Sequence, residues 1–128
     1  MRIISWDEFN LCVEEITHSC RDKSFCGVYG FPRGGLCLAV ALSHSLNIPL
    51  LQEPKTGSLV VDDVYETGET LRKIVEIEGV TIFVWFSKAQ PEWWNAVHIS
   101  DPEEWLVFPW ENRKLAEKDQ MIYLLSRS

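Results

Sequence analysis

The stretch LVVDDVYETGETL, residues 59–71, sets two carboxylates beside a glycine turn. Leu59–Val61 reads as a buried strand, and Asp62 and Asp63 stand where it surfaces. Gly68 permits a tight turn, from which Thr67, Gly68, Glu69 and Thr70 can aim successive amides and two hydroxyls at one anion. A helix opening there would add its positive end. Adjacent acids repel a phosphate, whereas such a turn attracts one. A ligand carrying both a vicinal diol and a phosphate satisfies both elements. Taken alone, Thr67 would be read as a helix cap and the acids as solvated. Their combination with the turn asks for a ligand.

Two more polar interruptions follow apolar runs. In GFPRGGLCLAVAL, Gly34 and Gly35 open a helix after a strand, and Arg33 supplies a cation able to bind an anion with two parallel hydrogen bonds. In FSKAQP, Lys88 follows a long strand. Downstream, EEWLVFPWE offers Trp105 as a flat aromatic face. The sequence holds no G-x-x-x-x-G-K-[ST] or G-x-G-x-x-G, so neither common nucleotide loop applies. His18, His44 and His98 read as structural, without a Cys or Ser nucleophile arrangement nearby. Trp93, Trp94 and Trp110 read as packing residues.

These residues need a frame. Ser5 and Glu8 form a capping box ahead of Trp6, Phe9, Val13 and Ile16 at helical spacing. SFCGVYGF is strand-like, and GGLCLAVALSHSL is apolar nearly all round, so it should be a helix buried on most sides. NIPLL and SLVVDD read as strands, TGETLRKIVEIEG as a helix closed by Gly79, and VTIFVWFS as a central strand. After Pro91 the chain is less regular, and ENRKLAEKDQMIYLL closes it as a helix or a helix and strand mixture. Strands alternating with helices predict an α/β fold, a single domain over residues 1–128 with a mainly parallel twisted sheet flanked by helices. Ligands gather beyond the carboxyl ends of such strands. Phe31–Gly35, Asp62–Thr70 and Ser87–Lys88 would then share one rim.

Composition narrows the function. The 128 residues carry 19 acids against 12 Lys and Arg, a net charge of −7 that argues against a nucleic-acid surface. No apolar run is long enough to span a bilayer, and the first residues lack a signal-peptide layout, so a cytoplasmic location is expected. Cys12, Cys20, Cys26 and Cys37 have no metal-ligand spacing and read as reduced, mostly buried thiols.

VVDDVYETGETL resembles the phosphoribosyl-diphosphate signature of the type I phosphoribosyltransferases, and the resemblance extends from about Val28 to Glu111. It implies that Asp62 and Asp63 hold the ribose hydroxyls with Mg²⁺ nearby, and that Glu66, Thr67, Gly68, Glu69 and Thr70 cradle the 5′-phosphate. Glu66 stands where purine-using members place an acid near the base N7, where it can exchange a proton. Arg33, Gly34 and Gly35 look like the loop that holds the leaving diphosphate, with an unusual peptide bond expected near Pro32–Arg33. Lys88, Trp105 and Leu106 are similar to the base site of 6-oxopurine enzymes such as xanthine–guanine phosphoribosyltransferase. There the lysine would donate to O6, the tryptophan would stack, and the Leu106 backbone would read the base edge.

The resemblance therefore implies transfer of a phosphoribosyl group from phosphoribosyl diphosphate to a nucleobase, in a protein expected to be a homodimer. One departure stands out. Members usually carry a long mobile loop before the acid-pair strand, and here only Gln52–Gly57 is available, a shortened flexible loop. A family arginine is also missing there, and Lys55 is the one residue offered as its partial substitute. The short loop keeps a second reading in view, a non-catalytic regulatory protein that binds phosphoribosyl diphosphate or a nucleotide. A structural domain with a vestigial site is the third.

Overall fold

The computed structural model describes residues 1–127. Two compact units are distinguished, one formed by residues 1–11 and 103–128, the other by Cys12–Pro102.

The larger unit holds a four-stranded sheet of β2 (Val28–Gly30), β3 (Leu59–Tyr65), β4 (Thr81–Ser87) and β5 (Asn95–Ile99), in that order. Every neighbouring pair is parallel, as the alternation of strands and helices predicts. β4 lies inside the sheet, and Ile82–Ser87 are all buried, so its continuous apolar run belongs to a strand covered on both faces. Helix α2 (Leu36–Leu46) covers β2 and β3 with Leu38, Ala39 and Leu42. It is buried on one side rather than on most, since Leu36 and Val40 are exposed. Cys12 and Cys20 are buried, and Cys26 is exposed.

The smaller unit pairs β1 (Arg2–Ile3) with β6 (Leu106–Val107) in parallel and ends in α4 (Arg113–Arg127). Helix α1 (Trp6–Ser19) begins in this unit with the predicted capping box: Glu8 N–H donates to Ser5 Oγ at 3.1 Å, and Ser5 N–H to Glu8 Oε2 at 2.8 Å. Trp110 stacks on Phe108 and meets Trp6 and Phe9, the packing role expected of it. Among the described residues no helix is long and apolar enough to cross a membrane.

Three segments differ from expectation. NIPLL contributes a single bridge, Leu50 to Val28, instead of a strand. The helix after the glycine turn, α3 (Glu69–Arg72), stops after four residues. Ile74, Val75 and Ile77 follow it, and β-branched side chains lose rotamer freedom in a helix. The third is the short turn offering Lys55. Ser58 Oγ accepts from Lys55 N–H at 3.1 Å and donates to Lys55 O at 2.7 Å, while Gly57 N–H reaches Glu78 O at 3.1 Å. This turn therefore sits at the entry end of β3. From there to the acid pair is several strand residues, about 3.3 Å each, so Lys55 leaves the backbone well before the acids.

At the exit of β2, a side chain on Gly30 would meet the Gly35 carbonyl and the Ala39 side chain. Close approach of strand to helix depends on that glycine. Gly30→Ala is expected to lower Tm by about 4 °C or more. An unchanged Tm in a calorimetric scan would show that the contact yields freely.

Candidate active site

β3 runs through Asp62 and Asp63 to Tyr65, so the acids lie within the strand's last half rather than beyond it. The register pairs Asp62 with Val84 of β4, and parallel pairing brings the exits of β2, β3 and β4 to one rim. Around that rim a cleft of about 340 Å³ is lined by Pro32, Gly34, Asp62–Gly68, Thr70 and Leu71. The acid pair, the glycine turn and part of the β2–α2 loop therefore meet in one concavity.

The carboxylates are held tightly. Asp62 Oδ1 accepts from Asp63 N–H at 2.8 Å, and Asp63 Oδ1 accepts from Val64 N–H at 2.8 Å. A side chain on Gly34 would run into the Asp63 carboxylate, so glycine is what allows the loop to approach. Burial raises the pKa of Asp62 to about 8, with the charge of Asp63 adding to the rise. Asp63 is raised as well, chiefly by burial. Neither acid forms an ion pair among the described residues. Two half-buried carboxylates without an ion-pair partner are hard oxygen donors that suit a divalent cation. No cluster of three or more ligating side chains occurs among the described residues, so such a cation would complete its shell with ligand oxygens and water.

The glycine turn has the expected geometry, with Gly68 at φ 75°. The Glu69 N–H makes only a long contact with Thr67 Oγ1, at 3.4 Å. First-turn amides have no acceptor within their helix. Because α3 is a single turn, the helix dipole predicted for it adds little, and an anion here would meet chiefly those amides and the threonine hydroxyls. Of the expected residues here, Thr67, Gly68 and Thr70 line the cleft, whereas Glu69 is exposed outside it.

In the β2–α2 loop the Pro32–Arg33 peptide is cis, at the place the resemblance implies. Arg33 is exposed and does not line the cleft. The Gly35 amide, expected to face a diphosphate, donates instead to Phe31 O at 2.7 Å. Gly35 shapes the loop, and Gly34 is the glycine at the cleft.

Lys88 follows β4, and its N–H donates to Tyr65 O at 2.9 Å. Its ammonium pairs with Glu66 Oε1 at 3.3 Å, with 12% of the lysine side chain exposed. A cation and an anion thus stand together, with Glu66 lining the cleft and Lys88 outside its lining. Trp105 and Leu106 belong to the smaller unit. The Trp105 ring lies 5.2 Å from that of Tyr123. Arg2 and Ile4 amides donate to the Trp105 and Val107 carbonyls, so the carbonyl of Leu106, between them, points off the other edge of β6.

Trp94, read as a packing residue, and Tyr65, to which no role was assigned, lie directly under this site. Tyr65 lies beneath Gly68, and Trp94 stacks on Tyr65 with centroids 3.7 Å apart. The sequence signal was faint: an aromatic inside the acid-pair string, and paired tryptophans after a strand.

No family model matches the chain. A curated xanthine-guanine phosphoribosyltransferase of Chromohalobacter salexigens is 28% identical over 134 residues, covering 84% of this chain and 82% of the relative. Among solved structures, a purine phosphoribosyltransferase from Pyrococcus horikoshii superposes with a TM-score of 0.72 at 24% identity, over 86% of this chain and 93% of that one. A hypothetical protein from Neisseria gonorrhoeae with bound ppGpp gives a TM-score of 0.68 at 15% identity, over 91% and 92%. The fold and the resemblance to type I phosphoribosyltransferases are borne out.

The raised carboxyls make a stability prediction. Their folded pKa values lie above the unfolded value of 3.8, so the folded state holds more protons between about pH 4 and pH 8. Stability without ligand should fall as pH rises through that window. Asp62→Asn with Asp63→Asn should flatten the profile and raise Tm at pH 8 by about 4 °C or more. A double variant less stable than wild type at pH 8 would show the carboxylates to be locally satisfied.

Proposed function

We propose that this chain is a phosphoribosyltransferase that moves the phosphoribosyl group of phosphoribosyl diphosphate to a 6-oxopurine, releasing diphosphate, in cytoplasmic purine salvage. The observation that carries this reading is the single cleft joining the half-buried acid pair to the amide turn and to Gly34. Asp62 and Asp63 would hold the ribose diol, and Thr67, Gly68 and Thr70 the 5′-phosphate. Arg33 would swing in over the leaving diphosphate, as a long exposed side chain can. Bound Mg²⁺ would neutralise diphosphate charge, with Asp62 and Asp63 as its protein donors.

The Glu66–Lys88 pair supports a purine as acceptor. In its N7–H form a 6-oxopurine presents the O6 acceptor beside the N7–H donor, so Lys88 would donate to O6 and Glu66 would accept from N7–H. In the transfer, the C1′–O bond to diphosphate breaks and the C1′–N9 bond forms. The proton displaced from the ring leaves at N7 to Glu66. Fixing both ends of the sugar and the base lowers the entropic part of the barrier. A homodimer is proposed as the working assembly, with small molecules rather than nucleic acid as ligands.

A second reading, a regulatory protein that binds phosphoribosyl diphosphate or a nucleotide without turnover, draws support from the ppGpp-bound Neisseria gonorrhoeae protein. Incubation with phosphoribosyl diphosphate, Mg²⁺ and a panel of guanine, xanthine, hypoxanthine, adenine and orotate separates the two by product mass. Nucleoside monophosphate from the 6-oxopurines is the expected outcome. Tight binding with no product from any base would favour the regulator. Lys88→Ala should cut 6-oxopurine use about 10- to 100-fold. An equal loss with adenine would remove the O6 contact from the account.

A further inference from the structure

We infer that Tyr65 and Trp94 are positioning residues for the phosphate turn, so that the affinity of the site for a sugar 5-phosphate is set by an aromatic stack beneath it. The inference rests on the phosphoribosyl reading above and adds what holds its anion cradle in shape.

Gly68 is constrained twice. Its φ of 75° is costly for other residues, and any side chain on it would collide with the Tyr65 ring. The ring is therefore the floor on which the turn rests. That floor is fixed at both ends. The Tyr65 carbonyl accepts from Lys88 N–H at 2.9 Å, which ties its backbone to the exit of β4. Its ring lies nearly parallel to Trp94, at 12° and 3.7 Å between centroids. The Trp94 indole is fixed in turn by its Nε1–H, which donates to Ser87 Oγ at 3.0 Å, and that hydroxyl donates to Ala89 O at 2.6 Å. Trp93 meets the Tyr65 and Trp94 rings edge-on.

Tyr65, Trp94 and Ser87 are 6%, 4% and 0% exposed, so ring and hydroxyl have little room to rearrange. A cradle built from several amides loses several charge-assisted bonds at once when its floor shifts by a few tenths of an ångström. Among the described residues no hydrogen bond or ring contact ties Asp62, Asp63 or Gly34 to the stack, so binding of diphosphate should be indifferent to it.

The test compares ribose 5-phosphate with magnesium diphosphate by isothermal titration against wild type, Trp94→Leu, Trp94→Phe and Tyr65→Phe, with folding checked by circular dichroism. Trp94→Leu should weaken ribose 5-phosphate about tenfold or more while magnesium diphosphate changes by less than about twofold. Trp94→Phe keeps a ring but loses the bond to Ser87, and should weaken ribose 5-phosphate about threefold or more with diphosphate again unmoved. Tyr65→Phe keeps the stack but loses the hydroxyl that comes nearest to Gly68, and should weaken ribose 5-phosphate about threefold or more with diphosphate unmoved. Equal losses for both ligands would mean that Trp94 merely supports the fold, and would overturn the inference. So would wild-type ribose 5-phosphate affinity in the tryptophan variants. Should Trp94→Leu fail to fold, Trp94→Phe decides. If wild type binds neither ribose 5-phosphate nor phosphoribosyl diphosphate, the phosphoribosyl reading itself falls, and the inference with it.

Discussion

Two half-buried carboxylates on one strand, neither in an ion pair among the described residues, are the constraint around which this molecule is arranged. Burial and mutual repulsion both disfavour their charged forms, which is why Asp62 and Asp63 hold protons well above the usual carboxylate range. A protein selected for stability alone would place neutral side chains at these positions. Retaining the pair makes sense when a ligand completes it, and a diol with a divalent cation supplies both the hydrogen-bond donors and the positive charge that the strand lacks. The surrounding sheet makes this tolerable: Leu59–Val61 and Ile82–Phe86 are buried beneath the pair and anchor β3 and β4 in register.

The anion side of the cleft follows a different logic. A single helical turn carries little dipole, so the amides after Gly68 would hold the proposed phosphate by geometry. Geometry in a turn is only as good as what it rests on. That gives the aromatic stack its place in the account, and it explains why β4 matters beyond its own burial. Its exit residues Ser87 and Lys88 touch, respectively, the indole that supports the stack and the acid beside the proposed base site. The glycines of the β2–α2 loop work similarly. Gly30 lets strand and helix close up, and Gly34 lets the loop lie against Asp63.

Much of this was legible in the sequence because the signals were local and chemically demanding. The Ser5–Glu8 capping box, the doubly buried β4 and the acid-pair string each rely on residues within a few positions of one another. The place of the cis peptide came from the family resemblance. What escaped was set by distant partners. NIPLL looks strand-like but finds one bridge, and KIVEIEG has helical polarity but β-branched residues that end the helix. The short β1, β5 and β6 carry too little pattern to announce themselves. The amide of Gly35 is taken by Phe31 O, a bond that spacing cannot foretell. Trp94 reads as packing and Tyr65 goes unmarked because stacking beneath a turn leaves no spacing rule to find.

Titration calorimetry of phosphoribosyl diphosphate with Mg²⁺ against wild type and the Asp62→Asn, Asp63→Asn double variant tests the central claim most directly. The account predicts saturable binding to wild type and its loss, by about 100-fold or more, in a double variant that remains folded. Equal affinity in the two proteins would contradict it, because the acid pair would then have no part in holding the sugar.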